Sequence, residues 1–522
     1  MPSPALDPSH KQSLETLCTD PQTPMPHLPD AKNTLFIPEL CYDLADCHIV
    51  MDSAYAHLSP EQLFHDAHNW VEVCRKHRRH VYHLQTSHGN FFLKVSTLAR
   101  KKDRRRFLFL PWRMKTEWRN LDRLRKKAVP APQRVLFGQR ARFPCKAFFM
   151  MTEEIQGSEL DFRDHVQMEK LAEFVAALHA KNILHQDLHP GNILMDSSGS
   201  PVLIDVQEVY CLPWLPKRLK IENLSQLLRH IRSLPDIELD EQHFLDSYNR
   251  HSSTFVPLFS VAKGILRSQD KLYRSRAKRC CKNSTEYEVM SRKDGVRGYK
   301  QRDFQWSIQD CRAALDHGEI IKNGTVVHYQ GICLKTTPRS LLHKNRCLTA
   351  WKMNRALKVR GVNVPEALAY FQDNCKNYYL TKYYNESLTL NEYLSSLNDK
   401  DKKKAALKSL ADWIRHIHSL NIWQRDFKSS NVLVASDKFM MVDLESVQIC
   451  HKLTLKKKVT NLAQLNASIS SAISLKDRLR FFHYYCQELP SKSTRRMIYD
   501  EILKITKKKN TSHFGLIFDK ND

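Results

Sequence analysis

Glycine is scarce in this chain, with 13 among 522 residues, about a third of the usual share of ~7%. Neither GxxxxGK[ST] nor GxGxxG occurs, so the common glycine-built phosphate cradles are excluded. Long apolar runs are missing too. No stretch of about 18 apolar residues is present, and the sequence therefore offers no membrane-spanning helix. The 14 cysteines include no CxxC pair, and the adjacent Cys280 and Cys281 are a poor start for a zinc site. Scattered in this way, they are expected to be reduced structural thiols of a cytoplasmic protein. The first thirty residues carry seven prolines but neither the basic start nor the apolar middle of a secretory signal. Residues 1–33 are expected to form a disordered leader.

What is abundant is positive charge. The formal net charge is +26, which implies a polyanionic neighbour: nucleic acid, an acidic membrane surface or a phosphorylated substrate. A hydrophobic share of 42% with 26% charged residues is that of a folded protein, and the length allows two to four domains.

An internal repeat runs through the sequence. TEWRNLDRLRKKAVPAP (116–132) aligns without gaps on TAWKMNRALKVRGVNVP (349–365), sharing a Thr, a Trp, a Leu and a closing Pro. Asp187 precedes Asn192 by five residues, as Asp426 precedes Asn431. Asp205 lies thirteen residues after Asn192, and Asp443 twelve after Asn431. Eighteen residues beyond these last aspartates come NLSQL, from Asn223, and NLAQL, from Asn461. Several independent spacings agree, so the chain reads as two diverged copies of one domain. Each copy begins with alternating strands (VYHLQTSHGNFFLKV, 81–95, in the first), continues through a Trp-bearing helix and an apolar strand, and ends in helices. That order predicts an α+β fold, a tandem duplication of a two-lobed domain. The expected domains are 34–250, with its first lobe to about 155, and 285–522, with its first lobe to about 385. Residues 251–284 are expected as a linker, and KITKKKN (504–510) as a basic tail.

Phosphoryl transfer needs cations on the phosphates and a carboxylate at the acceptor hydroxyl. HQDLHPGN (185–192) is similar to the kinase catalytic loop H-R-D-x-x-x-x-N, with Asp187 at the hydroxyl and Asn192 at a magnesium ion. Asp205, in IDV, supplies the second magnesium ligand. Upstream, FFLKV puts Lys94 on a strand, and Glu117 follows 23 residues later near a helix start, the order of the lysine and its helix glutamate in kinases.

With FLKV, TEWRNLDRL, AFFMMTEEI, HQDLHPGNIL and IDVQ, the first copy resembles the bacterial lipopolysaccharide kinases, which phosphorylate heptose or Kdo sugars of the inner core. The likeness covers roughly residues 34 to 250, and more weakly 285 to 480. It implies a protein-kinase-like fold for each two-lobed copy, ATP and Mg²⁺ as cofactors, a lipid-linked core sugar as substrate, and a peripheral place on the cytoplasmic face of the inner membrane. The implied roles are Asp187 as base, Asn192 and Asp205 as metal ligands, Lys94 as phosphate contact and Glu117 as its anchor. The net charge suits an anionic leaflet, and ARKKDRRRFLFLPWRMK (99–115) combines charge with aromatic residues for such a contact.

The second copy keeps Asp426, Asn431 and Asp443 and adds Lys428 as a phosphate contact, with Lys335 as the strand lysine. It places Ala350 where Glu117 stands and Gln424 where His185 stands. Loss of the glutamate is expected to leave Lys335 without an anchor, so this copy is expected to be either active or regulatory. Two other functions compete: a protein kinase, against which the segment after Asp205 shows no APE-like element, and a basic nucleic-acid-binding or scaffold protein, against which no RNP or zinc-finger signature appears. Oligomeric state is left open.

Overall fold

The structure is a computed structural model describing residues 47–65, 69–76, 79–97, 113–140, 147–290, 295–322, 325–340, 343–487 and 491–509. The expected leader 1–33 and nearly all of the basic run 99–115 lie outside the described residues. The chain divides between Ile265 and Leu266 into two compact units.

Unit 1 begins with an antiparallel sheet in the order β1-β5-β6-β4-β3-β2. Its strands are β1 (Cys47–Met51), β2 (Asn69–Lys76), β3 (Arg79–Thr86), β4 (Gly89–Thr97), β5 (Arg134–Arg140) and β6 (Ala147–Glu153). The pleat turns sequence alternation into two faces. On β4, Phe91, Leu93 and Val95 are buried and pack with Leu84, Met151 and, from the short helix α1 (Pro60–His65), Leu63. Lys94 is on the other face. It pairs in register with Met150, whose side chain packs with Trp118, Leu121 and Leu124 of α2 (Arg113–Lys126). The lysine therefore shares the face that this helix covers. One of the few glycines is placed by need: a Cβ on Gly138 would come within 2.0 Å of the Phe149 ring.

After β7 (Gly157–Glu159), the helix α3 (His165–Ala180) runs through the unit's interior. Asp164 caps it, accepting from the Val166 amide at 2.8 Å. Leu171, Ala172, Val175 and Ala176 are fully buried, as expected of a helix apolar around most of its circumference. Asn182, at φ 57°, ends it in the left-handed region. Two small sheets follow, β8 (Ile183–His185) with β11 (Val209–Cys211), and β10 (Pro201–Leu203) with β9 (Ile193–Asp196) and β7. Helices α4 (Lys217–Arg232), α5 (Glu241–His251) and α6 (Leu258–Ala277) complete the series.

The expected linker 251–284 carries α6. Val261 and Ile265, one turn apart, pack into the core of unit 1, while Cys280, just beyond the helix, packs into that of unit 2. Apolar residues at helical spacing made the connector an element.

Unit 2 repeats the plan with a seven-stranded antiparallel sheet in the order β12-β13-β17-β18-β16-β15-β14. These are β12 (Tyr287–Met290), β13 (Arg297–Gln301), β14 (Glu319–Lys322), β15 (Val326–Tyr329), β16 (Ile332–Pro338), β17 (Ala367–Gln372) and β18 (Lys376–Lys382), with α7 (Ile308–His317) after β13 and α8 (Arg346–Lys358) after β16. Trp351 of α8 is buried and donates from Nε1 to the Cys280 carbonyl at 3.1 Å. Then come β19 (Leu388–Thr389), α9 (Leu390–Ser396), α10 (Lys400–Ser419), β20 (Ile422–Gln424), β21 (Val432–Ala435), β22 (Lys438–Met441), β23 (Val447–Ile449), α11 (Leu455–Ser468), α12 (Leu475–Tyr485) and α13 (Lys492–Lys509). Asn421, at φ 58°, ends α10 as Asn182 ends α3. Their side-chain oxygens accept from Leu453 and Leu215 amides at 2.8 and 3.0 Å. The expected basic tail, through Lys509, forms the end of α13, held because Ile498, Ile502 and Leu503 on that helix reach the core. The fold is α+β, made twice.

Candidate active site

In unit 1 the chain leaves β8 at His185 and enters the loop that carries Asp187. His185 is buried and joins the two aspartate-bearing segments. Its Nδ1 accepts from the Asp187 amide at 3.2 Å, and its Nε2 lies 2.7 Å from the Asp205 carbonyl oxygen. An amide can only donate and a carbonyl only accept, so the imidazole is neutral with its proton on Nε2. Burial holds its pKa below the ordinary histidine value, against the opposing pull of the Asp205 carbonyl.

Behind His185 a chain of buried donors runs to the outer helices. Asn223 of α4 donates from Nδ2 to the His185 carbonyl at 2.7 Å. Its Oδ1 lies 3.0 Å from Nε2 of His179, whose Nδ1 accepts from the Tyr248 hydroxyl at 2.9 Å. Asn192 donates from Nδ2 to the Asp187 carbonyl at 2.9 Å, which closes the loop and turns its Oδ1 the other way. Asp187 itself exposes 60% of its side chain, so a substrate can reach it. Gln226 Nε2 lies 3.4 Å and His189 Nε2 3.9 Å from its carboxylate.

Lys94 meets Glu117 in an ion pair whose glutamate side chain is 2% exposed. The other glutamate oxygen accepts from Gln207 Nε2 at 2.8 Å. Gln207 stands two residues past Asp205, so β4, α2 and the segment after β10 converge on one carboxylate. Asn120, one turn further along α2, fastens the same segment by donating to the carbonyls of Val206 and Val209 at 2.8 and 2.9 Å.

Unit 2 builds the same loop with different parts. Asn431 donates to the Asp426 carbonyl at 2.8 Å, and Asn461 to the Gln424 carbonyl at 2.6 Å. Gln424 replaces the histidine, donating from Nε2 to the Val442 carbonyl at 2.8 Å. Lys428 Nζ lies 2.9 Å from the Asp426 carboxylate. Asp443 takes up a left-handed backbone, φ 60° and ψ 51°, which Asp205 does not share.

Lys335 is not left without an anchor, contrary to expectation. Its Nζ donates to Asp443 at 2.7 Å and is also paired with Glu445. Burial acts to lower the lysine pKa, but Glu445 and Asp443 outweigh it and hold it above the ordinary value. Glu445 lies two residues past Asp443, where unit 1 has Gln207. A search for the helix glutamate alone cannot find it, because the carboxylate has left the helix.

Over residues 62–248, and again over 290–485, the sequence matches the Lipopolysaccharide kinase (Kdo/WaaP) family. The chain belongs to that family. No curated protein matches it. The two matches make this lipopolysaccharide kinase a tandem of the family's domain, and membership makes it an ATP-using phosphotransferase of lipopolysaccharide. Of the residues quoted from the sequence, unit 1 of the kinase joins Lys94 with Glu117, Asp187 with Asn192, and Asp187 with Asp205 through His185, and unit 2 joins Asp426 with Asn431 and Lys428, and Lys335 with Asp443. The residues that sequence reasoning did not assign are Gln207, Glu445, and the asparagines of NLSQL and NLAQL, which had been visible only as a repeat.

Proposed function

We propose that unit 1 transfers the γ-phosphoryl group of ATP to a hydroxyl of a heptose or Kdo sugar in the lipopolysaccharide inner core. The observation that carries this is the buried contact of Lys94, Glu117 and Gln207, next to a loop in which His185 ties Asp187 to Asp205. Lys94 contacts the phosphates, and Glu117 holds it in place. Asp187 orients the acceptor hydroxyl and takes its proton as oxygen bonds to the γ-phosphorus. The bond from that phosphorus to the β–γ bridging oxygen breaks, and ADP leaves with the electron pair.

Asn192 and Asp205 fit a magnesium ion. One carboxylate and one amide oxygen are hard donors, few enough for phosphate oxygens and water to complete the shell. When bound, the ion neutralises charge on the phosphates. In unit 2, Asp426, Asn431, Asp443, Lys335 and Lys428 take the corresponding roles, and that unit either turns over or regulates the first. The functional domains are taken as 34–250 and 285–522.

The net charge of +26 supports attachment to an anionic leaflet on the cytoplasmic face of the inner membrane, at about 1 kcal/mol per basic residue near the surface. No helix among the described residues is long and apolar enough to cross a membrane. The test is ATP consumption with purified lipopolysaccharide core, with a protein substrate as control. Core-dependent turnover supports the proposal. Turnover only with the protein substrate, or none, overturns it.

A further inference from the structure

The two units differ at a pair of positions that compensate. In unit 1 the pair is Glu117 on α2 and Gln207 two residues past Asp205, and they bond to each other. In unit 2 it is Ala350 on α8, which is buried, and Glu445 two residues past Asp443. Each unit thus brings one glutamate to its strand lysine, from opposite sides of the same gap. Resting on the proposal that unit 2 holds a kinase-type site, we infer that Glu445 is the positioning residue of a second nucleotide site, replacing the helix glutamate as the anchor of Lys335.

Three further observations support the relocation. The first residue of the helix is arginine in both units, Arg113 and Arg346. Arg346 donates to Glu445 Oε1 at 2.8 Å, the oxygen that also meets Lys335. The glutamate is therefore clamped between a helix cation and a strand cation, with its side chain only 6% exposed. Two cations, Lys335 and Arg346, face two carboxylates, Asp443 and Glu445, so the charges of the cluster balance, with Glu445 buried and Arg346 on its exposed side. Finally, Asp426, Asn431 and the Asn461 tie to Gln424 keep the loop geometry of unit 1.

The experiment is calorimetric titration of the full chain with the magnesium complex of a non-hydrolysable ATP analogue. Wild type is expected to bind two equivalents and Lys94→Met one. In the Lys94→Met background, Glu445→Gln is expected to weaken the remaining site about tenfold or more, as loss of one charge-assisted hydrogen bond implies. Lys335→Met is expected to weaken it similarly, and the two together no further, because they remove the same contact. The swap Ala350→Glu with Glu445→Gln is expected to recover affinity. A folded Lys94→Met chain that binds no analogue overturns the proposal that unit 2 is a nucleotide site. A second equivalent indifferent to Glu445→Gln, or additive losses in the Lys335 and Glu445 cycle, overturns the relocated anchor alone. If the swap does not fold, the cycle decides.

Discussion

Gln207 and Glu445 occupy the same place in their units, two residues beyond Asp205 and Asp443, and differ by an amide for an acid. Gln207 donates to Glu117, whereas Glu445 accepts from Lys335. This exchange, together with Glu117 against Ala350 on the helix, changes which element, helix or post-strand turn, holds the lysine.

The first prediction concerns that lysine in unit 1. Glu117→Gln keeps the shape and the bond to Gln207 within reach but removes the charge. Core phosphorylation is expected to fall by roughly 10²–10⁴, the range that corresponds to the 3–5 kcal/mol that breaking a buried pair costs. Steady-state kinetics checks it, with the Michaelis constant for ATP rising. Unchanged kinetics would remove Glu117 from the site.

Asp187→Asn should leave nucleotide binding intact while lowering turnover by roughly 10²–10⁴, the range of a lost general base. Calorimetry and single-turnover phosphorylation separate the two effects. Asp426→Asn, measured in parallel, reports whether unit 2 turns over. Undiminished turnover in the double variant would place the chemistry elsewhere.

Acid should destabilise both units through equivalent histidines. Burial pushes the pKa of His179 and of His418 down to about 4. Between there and the unfolded value near 6.5, the unfolded chain binds more protons than the folded one. Stability from each is complete above that unfolded value and is lost as pH falls toward 4, by about 3 kcal/mol per group. Urea unfolding between pH 7 and 4 is expected to show this slope. It should shrink in His179→Gln and His418→Gln, even where those variants start less stable. An unaltered slope in both would assign the acid sensitivity to other groups.

Asn223→Leu should be costlier than its surface area suggests. It strands the His185 carbonyl and the His179 Nε2–H in the interior, each at about 1–3 kcal/mol. Asn461→Leu strands the Gln424 carbonyl in the same way. Chemical denaturation is expected to show a loss in each case, with Asn223→Leu also slowing phosphorylation because His185 sets the Asp187 loop. A loss below about 0.5 kcal/mol, the surface-residue range, would show that the network carries no strain of connection.

The sequence alone determined the duplication, the α+β class and the local geometry of the candidate loops. Those features are local: alternation on β4 sets the face of Lys94, and the five-residue step from Asp187 to Asn192 fits a single loop whose closing bond, Asn192 to the Asp187 carbonyl, lies within it. That the connector 251–284 and the tail 504–510 carry helix was not legible, because these helices depend on apolar residues finding a core that local composition does not reveal. Only the tertiary structure decided the partners made across long separations. Lys335 and Glu445 are 110 residues apart, and no motif spacing links a strand lysine to a turn glutamate. A lysine's charge can be matched from any element that reaches it, so the sequence identifies the lysine, and the packing of helix, strand and turn selects its carboxylate.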